Sequence, residues 1–139
     1  MSGNFEEKEG KDMPIKRKLE TSINFYEHLG RDYQLVNEFT EQHNLSIYEF
    51  QLLLIIFKSE SIQLRSIIQS ELMKPNQINK AVKNLYDMKL INKERLPMDE
   101  RTVELSIREN HIEYVKELVK DFGTLVESYQ LEAMHQLNA

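Results

Sequence analysis

Between Lys74 and Asn84 the chain carries Asn76, Gln77, Asn79, Lys80, Lys83 and Asn84, with no carboxylate among them. Side-chain amides can bond bidentately to adenine edges and lysine reaches guanine or a phosphate, so this set suits a nucleic-acid groove. A second set follows at Lys93, Arg95, Asp99, Glu100 and Arg101. Lys93 and Arg95 alternate and could grip backbone phosphates. Arg101 suits a narrow minor groove, where negative potential is enhanced. Asp99 and Glu100 would repel phosphate, and an internal role fits better: Asp99 holding the guanidinium of Arg95 or Arg101 by a charge-assisted bond that fixes its direction. The plain alternatives are a solvated helix face for the first set and a surface salt bridge, worth at most about 1 kcal/mol, for the second.

Other chemistries find little support. His28, His43, His111 and His135 are scattered, and none has the helical partner and carboxylate of a zinc site. The chain has no Gly-rich phosphate loop and no nucleophile elbow. Cysteine is absent, which excludes disulfides, thiolate metal sites and thiol redox sensing within these residues. The expectation is therefore a protein that is not an enzyme and has neither cofactor nor metal. Met73, Met88 and Met134 are expected as core and interface filler.

The elements that must position these residues follow from periodicity. From Pro14 to His43 the apolar residues Ile15, Leu19, Ile23, Tyr26, Leu29, Tyr33, Val36 and Phe39 recur at spacings of three and four, one long amphipathic helix with Gly30 as a soft point. Ser46 and Glu49 have capping-box spacing before an almost wholly apolar helix, Ile47–Lys58, which belongs in the middle of a fold. Ile62 is placed to add a strand residue to a small sheet. Leu64–Leu72 reads as a short helix with Leu64, Ile67, Ile68 and Leu72 inward. Pro75 suits the first turn of the next helix, which turns Ile78, Ala81, Val82 and Leu85 inward and the amide and lysine set outward. Two alternating runs, Leu90–Arg95 and Thr102–Ile107, flank a polar tip of Pro97 to Arg101 and predict a β-hairpin with a long loop. Such a hairpin cannot stand alone in water and must lean on the preceding helix. Asn110 then caps a final helix with the stripe Ile112, Val115, Leu118, Val119, Phe122, Leu125, Val126, Tyr129, Ala133 and Leu137.

A helix followed at once by a charged hairpin is the layout of a winged helix-turn-helix. The expected fold is thus mainly α with a small β-hairpin wing, flanked by long terminal helices. Residues 1–13 lack apolar periodicity and are expected to be a disordered leader. Residues 14–139 form one domain, with the winged helix-turn-helix at 46–107 and dimerisation helices at 14–43 and 110–138. At 139 residues one domain is the natural size. No apolar run approaches the roughly 20 residues that cross a bilayer, and the start is too polar and acidic for a signal peptide, so a soluble cytoplasmic protein is expected. The net charge of −5 argues against a generic nucleic-acid binder. Its distribution argues otherwise: Lys74, Lys80, Lys83, Lys89, Lys93 and Arg95 cluster against only Asp87 and Glu94. The terminal helices carry more apolar stripe than a small central unit could cover, which predicts a two-fold dimer. Leu19, Ile23, Tyr26, Val115, Val119, Phe122 and Val126 are its candidate interface. The alternative is that these helices pack on each other within one subunit.

The segment MKPNQINKAVKNLYDMKLINKERLPMDERTV resembles the recognition helix and wing of the staphylococcal accessory regulator (SarA) family, a branch of the MarR winged-helix proteins. The strongest part is Lys93–Val103, with KER followed after three residues by DERTV. This part and the Lys74-Pro75 pair are most similar to the repressor-of-toxins branch, whereas Lys80–Lys83, KAVK, is closer to the SarA protein itself. The resemblance implies a homodimeric transcription factor on A·T-rich promoter DNA. It also implies Arg101 in the minor groove, Asp99 and Glu100 as the wing acids, and Arg95 as a partner or phosphate contact. Asn76 and Gln77 depart from the more aromatic and basic pattern of the repressor-of-toxins branch, so base preference can differ. Two other readings stay open: a helical protein–protein module, and a ligand-responsive regulator of the MarR type.

Overall fold

A computed structural model describes the backbone of residues 5–138 and the side chains of residues 14–99 and 101–136. The chain divides into two compact units, one ending at Phe39 and the other beginning at Thr40. The first unit is the body of helix α1, Phe5–Gln42, with Pro14 inside it. Helical backbone extends ahead of Pro14 to Phe5, so the expected leader is helical over the part that is described, and residues 1–4 lie outside the described residues. Apolar periodicity, the signal used to start the helix, is missing there. Along α1 the large side chains Ile15, Leu19, Ile23, Phe25, Tyr26, Leu29 and Tyr33 are all exposed.

The second unit contains every remaining element: α2 (Ile47–Ser59), β1 (Ser61–Gln63), α3 (Leu64–Gln69), α4 (Pro75–Asp87), β2 (Ile91–Leu96), β3 (Asp99–Ile107), a 3₁₀ turn at Glu109–His111, and α5 (Ile112–Asn138). Its entry is a Schellman stop on α1: Asn44, in the left-handed region, lets Leu45 N–H reach Thr40 O and Asn44 N–H reach Glu41 O. Ser46 then caps α2 as expected, its Oγ accepting from Glu49 N–H while Glu49 Oε1 accepts from Ser46 N–H, both at 3.1 Å. The apolar α2 is central: its Phe50, Leu52, Leu53 and Ile56 are buried, as are Ile67, Ile78, Leu85, Ile91, Leu105, Val115 and Leu118 from the other elements of this unit. After α3 the expected inward Leu72 is exposed and Met73 is buried instead. Glu71 has a left-handed backbone, φ 57°, which ends the helix and changes which residue faces in. Lys89 occupies the same kind of position after α4, where Leu90 N–H reaches Leu85 O and turns the chain into the hairpin. Asn110 lies within the 3₁₀ turn rather than capping α5, and its Oδ1 lies 3.1 Å from His111 Nδ1.

The sheet is antiparallel in the order β1-β3-β2. β1 pairs only with Glu104–Ser106 of β3, so the hairpin beyond Val103 has two strands and no third. The hairpin is longer and its tip shorter than expected: the strands reach Leu96 and Asp99, leaving Pro97 and Met98 as the turn. The pairing jumps from Arg95↔Val103 to Leu96↔Asp99, so Glu100 to Thr102 bulge from the ladder. Directly opposed residues share a face. One face therefore carries Ile91/Ile107, Lys93/Leu105 with Ile62, and Arg95/Val103, while the other carries Asn92/Ser106 and Glu94/Glu104 with Gln63.

Candidate nucleic-acid interface

Helix α4 starts with Pro75 at its first turn, and its amides serve that turn. Gln77 Oε1 accepts from Lys74 N–H at 3.3 Å, and Asn76 Oδ1 accepts from Gln77 N–H at 3.0 Å. Lys74, Asn76, Asn79, Lys80 and Lys83 are exposed, whereas Gln77 and Asn84 are half-buried. Lys83 Nζ meets Asp87 Oδ2 at 2.9 Å, an exposed pair one helical turn apart. The face is not free of carboxylate, as α4 alone suggested. Glu49, at the start of α2 and only 8 % exposed, sends Oε2 to Asn84 Nδ2 at 2.9 Å. Ser46, Tyr48 and Glu49 from α2 and Asn76, Gln77, Lys80, Ala81 and Asn84 from α4 line one groove.

A second groove joins α4 to the wing. Asn79 and Lys83 of α4 meet Lys93 and Arg95 of β2 across it, over a floor of Leu64, Val82 and Val103. The sheet face that is apolar at Ile91 and Leu105 thus turns cationic as β2 leaves the core, and the opposed Glu94 and Glu104 lie on its other face. The distance between helix and wing is held at Tyr86. Lys93 Nζ lies 5.0 Å from that ring's centre and Arg108 Cζ 5.6 Å, while Arg108 Nε also donates to Ile91 O at 3.1 Å. Each such cation–ring contact is worth about 0.5–1 kcal/mol at an exposed site.

At the wing, Asp99 binds backbone and hydroxyl rather than a guanidinium. Its Oδ1 accepts from Arg101 N–H and its Oδ2 from Thr102 Oγ1, both at 3.0 Å. A short carboxylate reaches the N–H two residues ahead more readily than a long, solvated guanidinium. These bonds, the Arg101 N–H first, hold the Asp99 carboxyl below its ordinary range, and the charge of Arg65 on α3 adds to the effect. Arg101 is exposed, and among the described residues its guanidinium has no partner. Met98, at the turn, is 98 % exposed. The side chain of Glu100 lies outside the described residues.

The candidate dimer residues divide. Leu19, Ile23 and Tyr26 are exposed on α1. Val115 is fully buried in the core of the second unit, so it cannot meet another subunit. Phe122, half-buried, packs edge-on against Phe50 of α2 with ring centres 4.9 Å apart, and Val119 and Val126 are also half-buried. The periodicity of α5 marked an apolar stripe without saying that α2 covers its first turns. Sequence reasoning also missed Glu49, Arg65, Tyr86 and Arg108. Arg65 alone had a visible signal, as the one cation between Lys58 and Lys74.

Comparison with known proteins agrees with this geometry. The family model described as transcriptional regulator SarA/Rot matches residues 34–118. The HTH-type transcriptional regulator SarR of Staphylococcus aureus is 29% identical over 90 residues, 63% of this chain and 78% of that protein. The fold is similar to that of reduced AbfR bound to DNA, with TM-score 0.66 and 15% identity over 91% of this chain and 94% of that one. It is also similar to wild-type MarR from E. coli, with TM-score 0.61 and 15% identity over 83% of this chain and 93% of that one. Among the described residues no helix is long and apolar enough to cross a membrane.

Proposed function

The chain belongs to the SarA/Rot family of transcriptional regulators, and on that premise we propose that it acts as a homodimer on A·T-rich promoter DNA, with α4 in the major groove and Arg101 of the wing in the minor groove. The observation that carries this reading is the groove in which Asn79 and Lys83 of the helix face Lys93 and Arg95 of the wing. Three cations around one cleft suit a phosphate backbone running between major and minor grooves. Asn76, Asn79 and Lys80 then point toward base edges, and the guanidinium of Arg101, without a partner among the described residues, suits the enhanced potential of a narrow A·T-rich groove. The opposed acids Glu94 and Glu104 lie on the sheet face away from that cleft, which reconciles a negative chain with a DNA-facing side. The exposed apolar residues of α1 support the homodimer, because a surface stripe of that size is a common mark of an interface. The similarity of the fold to a regulator solved on DNA is in keeping with this reading.

Binding of labelled A·T-rich duplex across a salt series tests it. Log affinity should fall linearly with log salt, and Lys93→Ala should lower that slope by about one unit. Arg101→Ala should weaken binding about tenfold or more, the scale of one charge-assisted contact, without changing the oligomeric state. Undiminished binding by Arg101→Ala would remove Arg101 from the interface.

A further inference from the structure

The contact between Glu49 and Asn84 joins elements 35 positions apart and has a consequence for base choice. Both carboxylate oxygens of Glu49 accept: Oε1 from Ser46 N–H at 3.1 Å and Oε2 from Asn84 Nδ2 at 2.9 Å. A carboxylate that accepts at both oxygens offers no donor, so Asn84 must turn its NH₂ inward. Its Oδ1 is left without a partner among the described residues. That oxygen is not sealed in the interior, because among the described residues no buried side-chain nitrogen or oxygen lacks a hydrogen bond. Asn84 lines the groove shared with Asn76 and Lys80, which stand eight and four residues earlier on the same helix face.

We infer that Glu49 is a positioning residue for base specificity: it locks the Asn84 amide so that only its carbonyl oxygen faces DNA. Asn84 then acts as an acceptor. In the major groove it selects an amino-bearing base, adenine or cytosine, on the contacted strand and disfavours guanine and thymine, which present only acceptors at that edge. A free asparagine would make no such distinction, since it can offer either end. The inference rests on α4 being the major-groove helix.

The test is selection of bound sequences from a randomised duplex pool by the full chain and by Glu49→Gln. Glutamine keeps the capping box, with Oε1 accepting from Ser46 N–H, but turns an NH₂ toward Asn84. The asparagine must then flip and show its own NH₂ to DNA. At one position of the selected site, adenine or cytosine should give way to guanine or thymine, with a change of about fivefold in relative affinity, the scale of one hydrogen bond. Thermal stability should stay near that of the parent chain, and Asn84→Ala should flatten the same position. An unchanged site for Glu49→Gln alongside a flattened one for Asn84→Ala would overturn the lock. An unchanged site for both, or no sequence preference in the parent chain, would overturn any reading role for Asn84. A parent chain that binds no duplex even at low salt would overturn the proposed function as well, so the two failures are distinguishable. If Glu49→Gln proves unstable, Ser46→Ala supplies the control, since it weakens the same cap while leaving the Glu49–Asn84 bond and the selected base in place; a shifted base in that variant would overturn the lock.

Discussion

Asp99 shows how one side chain can set the shape of the wing through bonds within it. The Arg101 N–H and the Thr102 hydroxyl both stabilise its ionised form, so its folded value lies below the ordinary aspartate range. A group depressed in the folded state contributes stability above its unfolded value and loses it as pH falls through the folded value. The bonded bulge should therefore persist from neutral pH through the ordinary aspartate range and open only below it. Carbon-13 titration of the Asp99 carboxyl should give a midpoint below that of a free aspartate, and Thr102→Val should raise it. A free-aspartate midpoint in the parent chain would refute the bonding. The residue types at the wing were legible in the sequence, but the partner of Asp99 was not. Sequence marks an acid beside two arginines; only the folded bulge shows that the backbone N–H is the nearer donor.

At the scale of elements, the signals that are local in sequence were legible and those that depend on packing were not. Ser46 and Glu49 cap α2 because capping needs only a spacing of three. Pro75 starts α4 for a similarly local reason. Ser46→Ala should cost about 1 kcal/mol, read as a lower denaturation midpoint with an unchanged slope. Gly123 sits inside α5 with nothing within 4 Å of the place a Cβ would occupy. Gly123→Ala should accordingly raise stability by up to about 1 kcal/mol, seen as a higher Tm. The coverage of α5 was not legible. An apolar stripe tells which side of a helix is buried, and Val115 and Phe122 are equally apolar members of it. That the core takes Val115 whole and Phe50 receives Phe122 depends on where α2 runs, more than fifty residues earlier in the chain. The extra strand residues at Leu96 and Asp99 were hidden for another reason: Pro97 and the acids look like loop, yet a two-residue turn and a bulge absorb them.

For the whole molecule, the two sets of candidate dimer residues now predict opposite outcomes. Leu19 and Ile23 are exposed on α1, so a charge there should leave the chain folded but abolish the proposed homodimer. Val115 is fully enclosed, and Val115→Asp should unfold the second unit, since an unpaired buried charge costs several kcal/mol. Sedimentation together with circular dichroism separates the cases: folded monomers for Ile23→Asp and loss of helix for Val115→Asp. A folded dimer from Ile23→Asp would place the subunit contact elsewhere. The partial coverage of β3 has a mechanical consequence. With β3 paired on both edges at Glu104–Ser106 but only with β2 from Val103 to the tip, the hairpin is a cantilever with a stiff root and a compliant free end. Bending is therefore expected in the stretch that carries Arg101, whereas Lys93 lies beside Tyr86 of α4, 5.0 Å from the ring centre, near the clamp. On the proposed binding mode, the tip would follow a groove that widens or narrows along the duplex, with little of that strain returned to α4.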